Sequence, residues 1–200
     1  MKDLGESAFV LGIKIYRDRS RHILALSQST YLDKILKRFG MQTAKKGSLP
    51  VIRNKILSKA QCPVTAHDKA EMAKHPYASD IGSIMYAMLS NRPDVALALS
   101  LTSRFQSNPG KEHWIAVKNI LKHLKKTKEM FLVYGGCEEE LGVTGYIDAS
   151  FCTDPDDSNS QTGYVFKVNG GAVSWRSGKQ THSSPIYNGI GVYRCFKSRE

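Results

Sequence analysis

The apolar pattern of this 200-residue chain changes period partway along, and that change constrains its fold more than any other feature. Ile81, Ile84, Met85, Met88 and Leu89 form a helical stripe that runs up to Arg92-Pro93-Asp94. A second stripe follows in Val95, Leu97, Leu99 and Leu101. After the turn signal Asn108-Pro109-Gly110, residues Trp114, Val117, Ile120, Leu121 and Leu124 share one helix face, opposite Lys118, Lys122, Lys125 and Lys126. From Val133 the helical pattern gives way. Val143–Asp148 reads as a strand ending in an acid, Gly163–Val168 as a second, and Ala172–Arg176 as a third, with Asn169-Gly170-Gly171 as the hairpin turn between the last two. The class this predicts is α+β.

The remaining segments fit that class. Phe9–Ile15 and Ile23–Leu26 read as a β-hairpin around a basic loop holding Arg17, Arg19 and Arg21. Ser29 or Thr30 can cap a helix whose apolar face is Tyr31, Leu32, Ile35, Leu36 and Phe39, ended by Gly40, with Lys34, Lys37 and Arg38 on its polar side. Residues 42–76 carry scattered prolines and little periodicity and are expected to form a long connection. The stretch Pro185–Phe196 has neither a helical nor a clean strand pattern.

Charge is distributed unevenly. The formal net charge is +11, which favours a polyanionic partner such as nucleic acid. The basic residues gather in the first 60 residues and between residues 101 and 134, whereas residues 135–160 contain acids and no Lys or Arg. That acidic stretch is a candidate cation site, with a solvated loop as the alternative. The four cysteines show no paired spacing, and Met1-Lys2-Asp3-Leu4 opens no apolar run of the kind a signal peptide needs. Reduced thiols, an intracellular (cytoplasmic or nuclear) location and no membrane partner are the expectations. Cys62, His67 and His75 lack a fourth ligand and a paired spacing, which argues against zinc.

Several segments resemble the polymerase region of copia-type retrotransposons. They are Met1–Glu6 followed by Phe9–Ile13, then Leu26–Tyr31, Tyr77–Tyr86, Arg92–Val95, and His113-Trp114 leading into Lys118–Leu121. Gly145–Ser150, Ser160–Phe166 and Gly170–Trp175 resemble the opening three strands of that family's ribonuclease H. The resemblance implies four stretches: residues 1–60 as the end of the reverse transcriptase palm and thumb, 61–135 as a helical thumb and connection, 136–182 as a truncated ribonuclease H-like sheet, and 183–200 as a frame-shifted tail. It implies that the first hairpin helps hold a primer end, and that the polymerase aspartates lie before Met1. It also implies Mg2+ as the parent cofactor, with Asp148 matching the first metal and catalytic ligand, helped by Asp154, Asp156 or Asp157. The family's second ligand is a glutamate just after Lys179-Gln180, yet Thr181–Arg199 contains no acid.

The tail offers a reason. Tyr187–Phe196 can be encoded so that a one-nucleotide shift reads Thr-Thr-Glu-Ser-Glu-Tyr-Ile-Ala-Ala, which resembles the missing helix. A change of frame near Ser183 is inferred, leaving a tail without a selected fold and a sheet with one face uncovered. The chain is therefore expected not to be an enzyme by itself and to bind no Mg2+ tightly. Its expected partner is RNA/DNA hybrid or duplex, held weakly through Lys118, Lys122, Lys125, Lys126, Arg17, Arg19 and Arg21. Residues 77–180 are also similar to some predicted secreted effectors of oomycetes, which leaves a recruited binding protein as an alternative, beside a part of an active polymerase or ribonuclease H.

Overall fold

The computed structural model describes residues 5–136, 142–150, 154–180 and 191–195. Strands β1 (Phe9–Val10), β2 (Ile13–Asp18) and β3 (Ile23–Ser27) form an antiparallel meander. Helix α1 (Ser29–Arg38) follows and buries Leu32, Ile35 and Leu36, and Gly40 takes the positive φ of +64° expected of a helix-ending glycine. The connection holds a short 3-10 turn (Lys59–Gln61) and helix α2 (Ala66–Ala73), where the Thr65 hydroxyl accepts the Asp68 N–H at 3.1 Å. The sequence pattern did not reveal α2 because Met72 is its only buried residue.

Helices α3 (Tyr77–Asn91), α4 (Ala96–Ser103) and α5 (Lys111–Thr127) complete the helical part. Their core joins Ile81, Ile84, Val95, Leu99, Val117, Ile120, Leu121 and Leu124 to Leu32, Ile35 and Leu36 of α1. The apolar face of α5 is the one its sequence predicts. The α4 stripe differs: a helix rotates alternate positions apart, so Val95, Ala98, Leu99 and Thr102 go inward while Leu97 stays 45% exposed. In α3 likewise, Leu89 is exposed and Ala87 takes a core position.

Two motifs in this region have structural explanations. Arg92 makes a two-pronged bond to Asp94 (2.9 and 2.7 Å), and Asp94 also meets His123 Nε2 at 2.8 Å. Burial raises the Asp94 pKa, but its bonds and charge pairing with Arg92 and His123 outweigh this and lower it. The Arg92-Pro93-Asp94 segment thereby ties the α3–α4 junction to α5. His113 is fully buried and stacks on Phe105 with ring centroids 3.8 Å apart. Its Nδ1 accepts the Gly110 N–H at 2.8 Å, so Nε2 donates to the Ser58 carbonyl at 3.1 Å. Burial lowers its pKa and favours this neutral ring. At Gly110 a Cβ would lie 1.8 Å from the Gln61 carbonyl oxygen, so the turn and the start of α5 require glycine there.

Strand β4 (Leu132–Gly135) returns to pair with β3, closing a first sheet in the order β1-β2-β3-β4. The second sheet has the order β7-β6-β5-β8, from β5 (Val143–Ser150), β6 (Gln161–Val168), β7 (Gly171–Lys179) and β8 (Gly191–Cys195). All of its pairings are antiparallel. Asn169 and Gly170, at φ +46° and +80°, make the two-residue turn between β6 and β7. The α+β class holds.

Two expectations change here. Gly191–Cys195 is a strand paired with β5 in the register Val143↔Cys195 to Ile147↔Gly191. Val192 and Tyr193 suit a strand, and β5 had a free edge to offer. The inferred frame change near Ser183 lies outside the described residues. The second sheet is also not left bare. Its β7 strand packs on α4, Trp175 Nε1 donates to the Met88 carbonyl at 3.1 Å, and the Tyr134 hydroxyl donates to the Ala172 carbonyl at 2.7 Å. No helix among the described residues is long and apolar enough to cross a membrane.

Candidate nucleic-acid interface and acidic loop

The acidic loop is held by two cationic side chains and a backbone N–H from three directions. Asp154, 6% exposed, accepts from Arg104 of α4 at 2.5 Å and from Lys179 of β7 at 2.8 Å. Lys179 also pairs with Asp157. Asp156 accepts the backbone N–H of Lys59 with both oxygens, at 2.9 and 3.0 Å. Burial raises the Asp154 pKa, yet the hydrogen bond and charge of Lys179, with the Asp156 N–H and Arg104, hold it below the usual carboxylate range. Arg104 reaches Gln161 as well, and the Gln161 side chain donates to Ser177 Oγ at 2.7 Å. This loop is a clasp that joins the second sheet to α4 and to the 3-10 turn.

Asp148 stands elsewhere. It lies on β5 opposite Gly163, exposed, and its backbone carbonyl accepts from Thr162 Oγ1 at 3.3 Å. Among the described residues no three His, Cys, Asp or Glu side chains gather where a metal ion could be held. Asp148, Asp154, Asp156 and Asp157 therefore do not converge.

The basic residues divide into engaged and unengaged groups. Arg17 and Arg19 pair with Glu6, and Arg21 lies 3.9 Å from Asp18. Lys118 sits over the Trp114 ring at 5.8 Å, and Trp114 stacks on His75. Lys125 donates to the Gln42 and Ala44 carbonyls, and Lys126 to Ser48 Oγ at 3.0 Å. These bonds bind the connection to α5, as does the Gly47 N–H to the Lys122 carbonyl at 3.0 Å. The Lys122 side chain is half-buried and makes no ion pair among the described residues. Three residues not picked as contacts from sequence, Lys34, Lys37 and Lys128, stand beside this face and line one groove between α1 and the end of α5 together with Lys125. Their signal was the three-residue spacing of two basic pairs, Lys34/Lys37 and Lys125/Lys128, each of which shares a helix face.

The chain is 49% identical over 177 residues to the retrovirus-related Pol polyprotein from transposon TNT 1-94 of Nicotiana tabacum, covering 88% of this chain and 13% of that protein. It is 33% identical over 182 residues to the Pol polyprotein from transposon RE1 of Arabidopsis thaliana, covering 90% of this chain and 12% of that protein. It is also 42% identical over 109 residues to the secreted RxLR effector protein 161 of Plasmopara viticola, covering 54% of this chain and 76% of that protein. The chain thus spans about an eighth of the length of these transposon polyproteins. No family model matches it, and no solved structure matches it. The likeness to transposon polyproteins from several hosts extends over nearly all of the sequence, through both the helical part and the second sheet. On that ground the chain belongs to the retrovirus-related Pol polyproteins of copia-type transposons.

Proposed function

We propose that the chain is a non-catalytic stretch of such a polyprotein, running from the end of a reverse transcriptase into the start of a ribonuclease H. It holds nucleic acid weakly, without regard to sequence, through its phosphates. The stretches 1–60, 61–135, 136–182 and 183–200 are its proposed divisions, and an intracellular compartment belongs to the same reading. The antiparallel order β7-β6-β5 supports a ribonuclease H-like sheet.

The observation that carries the non-catalytic reading is the separation of the acids. Ribonuclease H chemistry needs several carboxylates on two divalent ions that clamp the attacking and leaving oxygens. Here Asp154, Asp156 and Asp157 are engaged in the clasp, while Asp148 is exposed on β5. One carboxylate leaves a magnesium ion mostly hydrated and poorly placed. This donor set does not fit the parent family's Mg2+, and no step is assigned to the ion.

Titrating labelled RNA/DNA hybrid or duplex at two salt concentrations tests the binding. The expected result is an affinity that is similar across sequences and drops steeply as salt rises. An affinity indifferent to salt, or none at low salt, contradicts it. A second reading, a recruited binding protein, is favoured by the likeness to the Plasmopara viticola effector over most of that protein's length. Under it the chain acts through protein contacts and shows no salt-steep affinity for nucleic acid.

A further inference from the structure

The connection, α4, α5 and the acidic loop surround a cavity of about 260 Å3 in which the proposed function has no share. Its walls are apolar: Ile52 and Leu57 from the connection, Leu97, Leu101 and Phe105 from α4 and the turn after it, and Ala116 from α5. Close packing leaves few voids larger than a water molecule, whose share of liquid volume is about 30 Å3. Polar bonds outside the cavity fix its walls. The Asn119 side chain donates to the Leu49 and Pro50 carbonyls at 2.8 and 3.1 Å, which pins the connection to α5. Lys55 pairs with Glu112, and Arg104 holds Asp154 beside the lining Pro155. The space is therefore set by the protein's own framework.

We infer that this cavity is a binding site for a neutral aromatic small molecule of one or two rings. Each polar side chain on its wall already has a partner in the protein. Lys55 is neutralised by Glu112, and Arg104 by Asp154. The Gln161 amide donates to Ser177 Oγ at 2.7 Å and accepts from Arg104, and the Thr102 hydroxyl donates to the Ala98 carbonyl at 2.9 Å. A charged ligand, or the head group of a fatty acid, would lose its hydration here and gain no free counter-charge. Apolar cavities of this kind take up apolar molecules. Phe105 favours a ring. His113 covers one of its faces with centroids 3.8 Å apart, so it meets the cavity with its other face or its edge, the contacts that aromatic pairs prefer. Ile56 and Leu97, also on the lining, are 67% and 45% exposed and mark the mouth. Because Arg104 and Gln161 belong to both the wall and the clasp, a bound ring also steadies the docking of the second sheet.

Indole titrated into the full chain and followed by methyl NMR tests this. A Kd of about 0.1–1 mM is expected for a ligand of that size, with shifts at the Ile52 and Leu101 methyls and none at Met72 of α2. Leu97→Trp and Ala116→Leu fill the cavity from two different helices, and each should weaken indole binding at least about tenfold while residues 111–126 keep their amide protection. Leu97 is half-exposed, so its variant leaves the core intact. Indoleacetate, which adds a carboxylate, should bind at least about tenfold more weakly than indole. Indole at ten times its Kd should slow amide exchange in residues 161–179 by up to about tenfold. Absence of methyl shifts up to about 10 mM, unchanged affinity in a filled variant that keeps its protection, or tighter binding of indoleacetate would each overturn the assignment. Uptake of a tryptophan-bearing peptide with none of free indole would put a protein partner there and overturn it as well. The outcome is independent of whether the chain binds nucleic acid.

Discussion

Replacing Asp80 with asparagine is expected to stabilise the protein above pH 7 and to leave it nearly unchanged near pH 4. Asp80 sits in the first turn of α3 with no solvent exposure, and neither carboxyl oxygen has a hydrogen-bond partner. Burial pushes its pKa up to about 7, against an opposing pull from Arg38. The folded value lies above the unfolded one, so the stability linked to its proton is fully present below about pH 4 and is lost as pH rises through 7. A shift of this size corresponds to roughly 4 kcal/mol across that window, a large part of a total of about 5–15. Asparagine keeps the shape and cannot ionise. The low-pH losses from carboxylates with lowered pKa, Asp94 and Asp154 among them, are common to both proteins and cancel in the difference. Urea unfolding at about pH 4.5, 6 and 8 measures it. A difference between the two proteins that grows with pH is expected, and parallel curves would refute the burial argument.

The second large effect concerns the clasp. Asp154→Ala removes the carboxylate on which Arg104 and Lys179 converge and leaves two cations facing each other around a small residue. Breaking a buried pair from one side costs about 3–5 kcal/mol, and the partial exposure of both cations puts this case at the lower end. The loss should fall on the docking of the second sheet and not on the helical core, because Ile81, Ile84, Val117 and Ile120 make no use of the clasp. Amide exchange resolved by segment is the readout: protection of residues 161–179 should drop while that of residues 111–126 holds. In the parent protein the folded pKa of Asp154 is lowered, so its contribution is present above about pH 4 and disappears as pH falls through the folded value. Uniform loss of protection along the chain would mean that the sheet and helices form one unit.

Local patterns made some elements legible in the sequence and not others. Helices α1 and α5 were readable because their stripes repeat over more than two turns, and the β6–β7 turn because Asn-Gly supplies two positive φ angles. Helix α2 was not, since one buried methionine gives no period. The partner of β4 could not be read either: Leu132–Gly135 pairs with β3, more than 100 residues earlier. The same reason hid the role of the acids. Asp154 looks like part of an acidic loop until Arg104 and Lys179 are brought to it by the packing of α4 on β7. Gly171 shows the limit from the other side. Its sequence signal is a hairpin end, but a Cβ there would meet the Tyr134 ring at 2.2 Å, a packing need between the two sheets that no local pattern carries.

The most direct measurement of the central claim is RNA cleavage by the full chain, with labelled RNA/DNA hybrid incubated in magnesium at low salt, where the hybrid is bound. With Asp148 alone on β5 and the other acids held in the clasp, the RNA strand should remain full length while the complex forms. Magnesium-dependent shortening of the RNA that disappears in an Asp148→Asn variant would contradict the account.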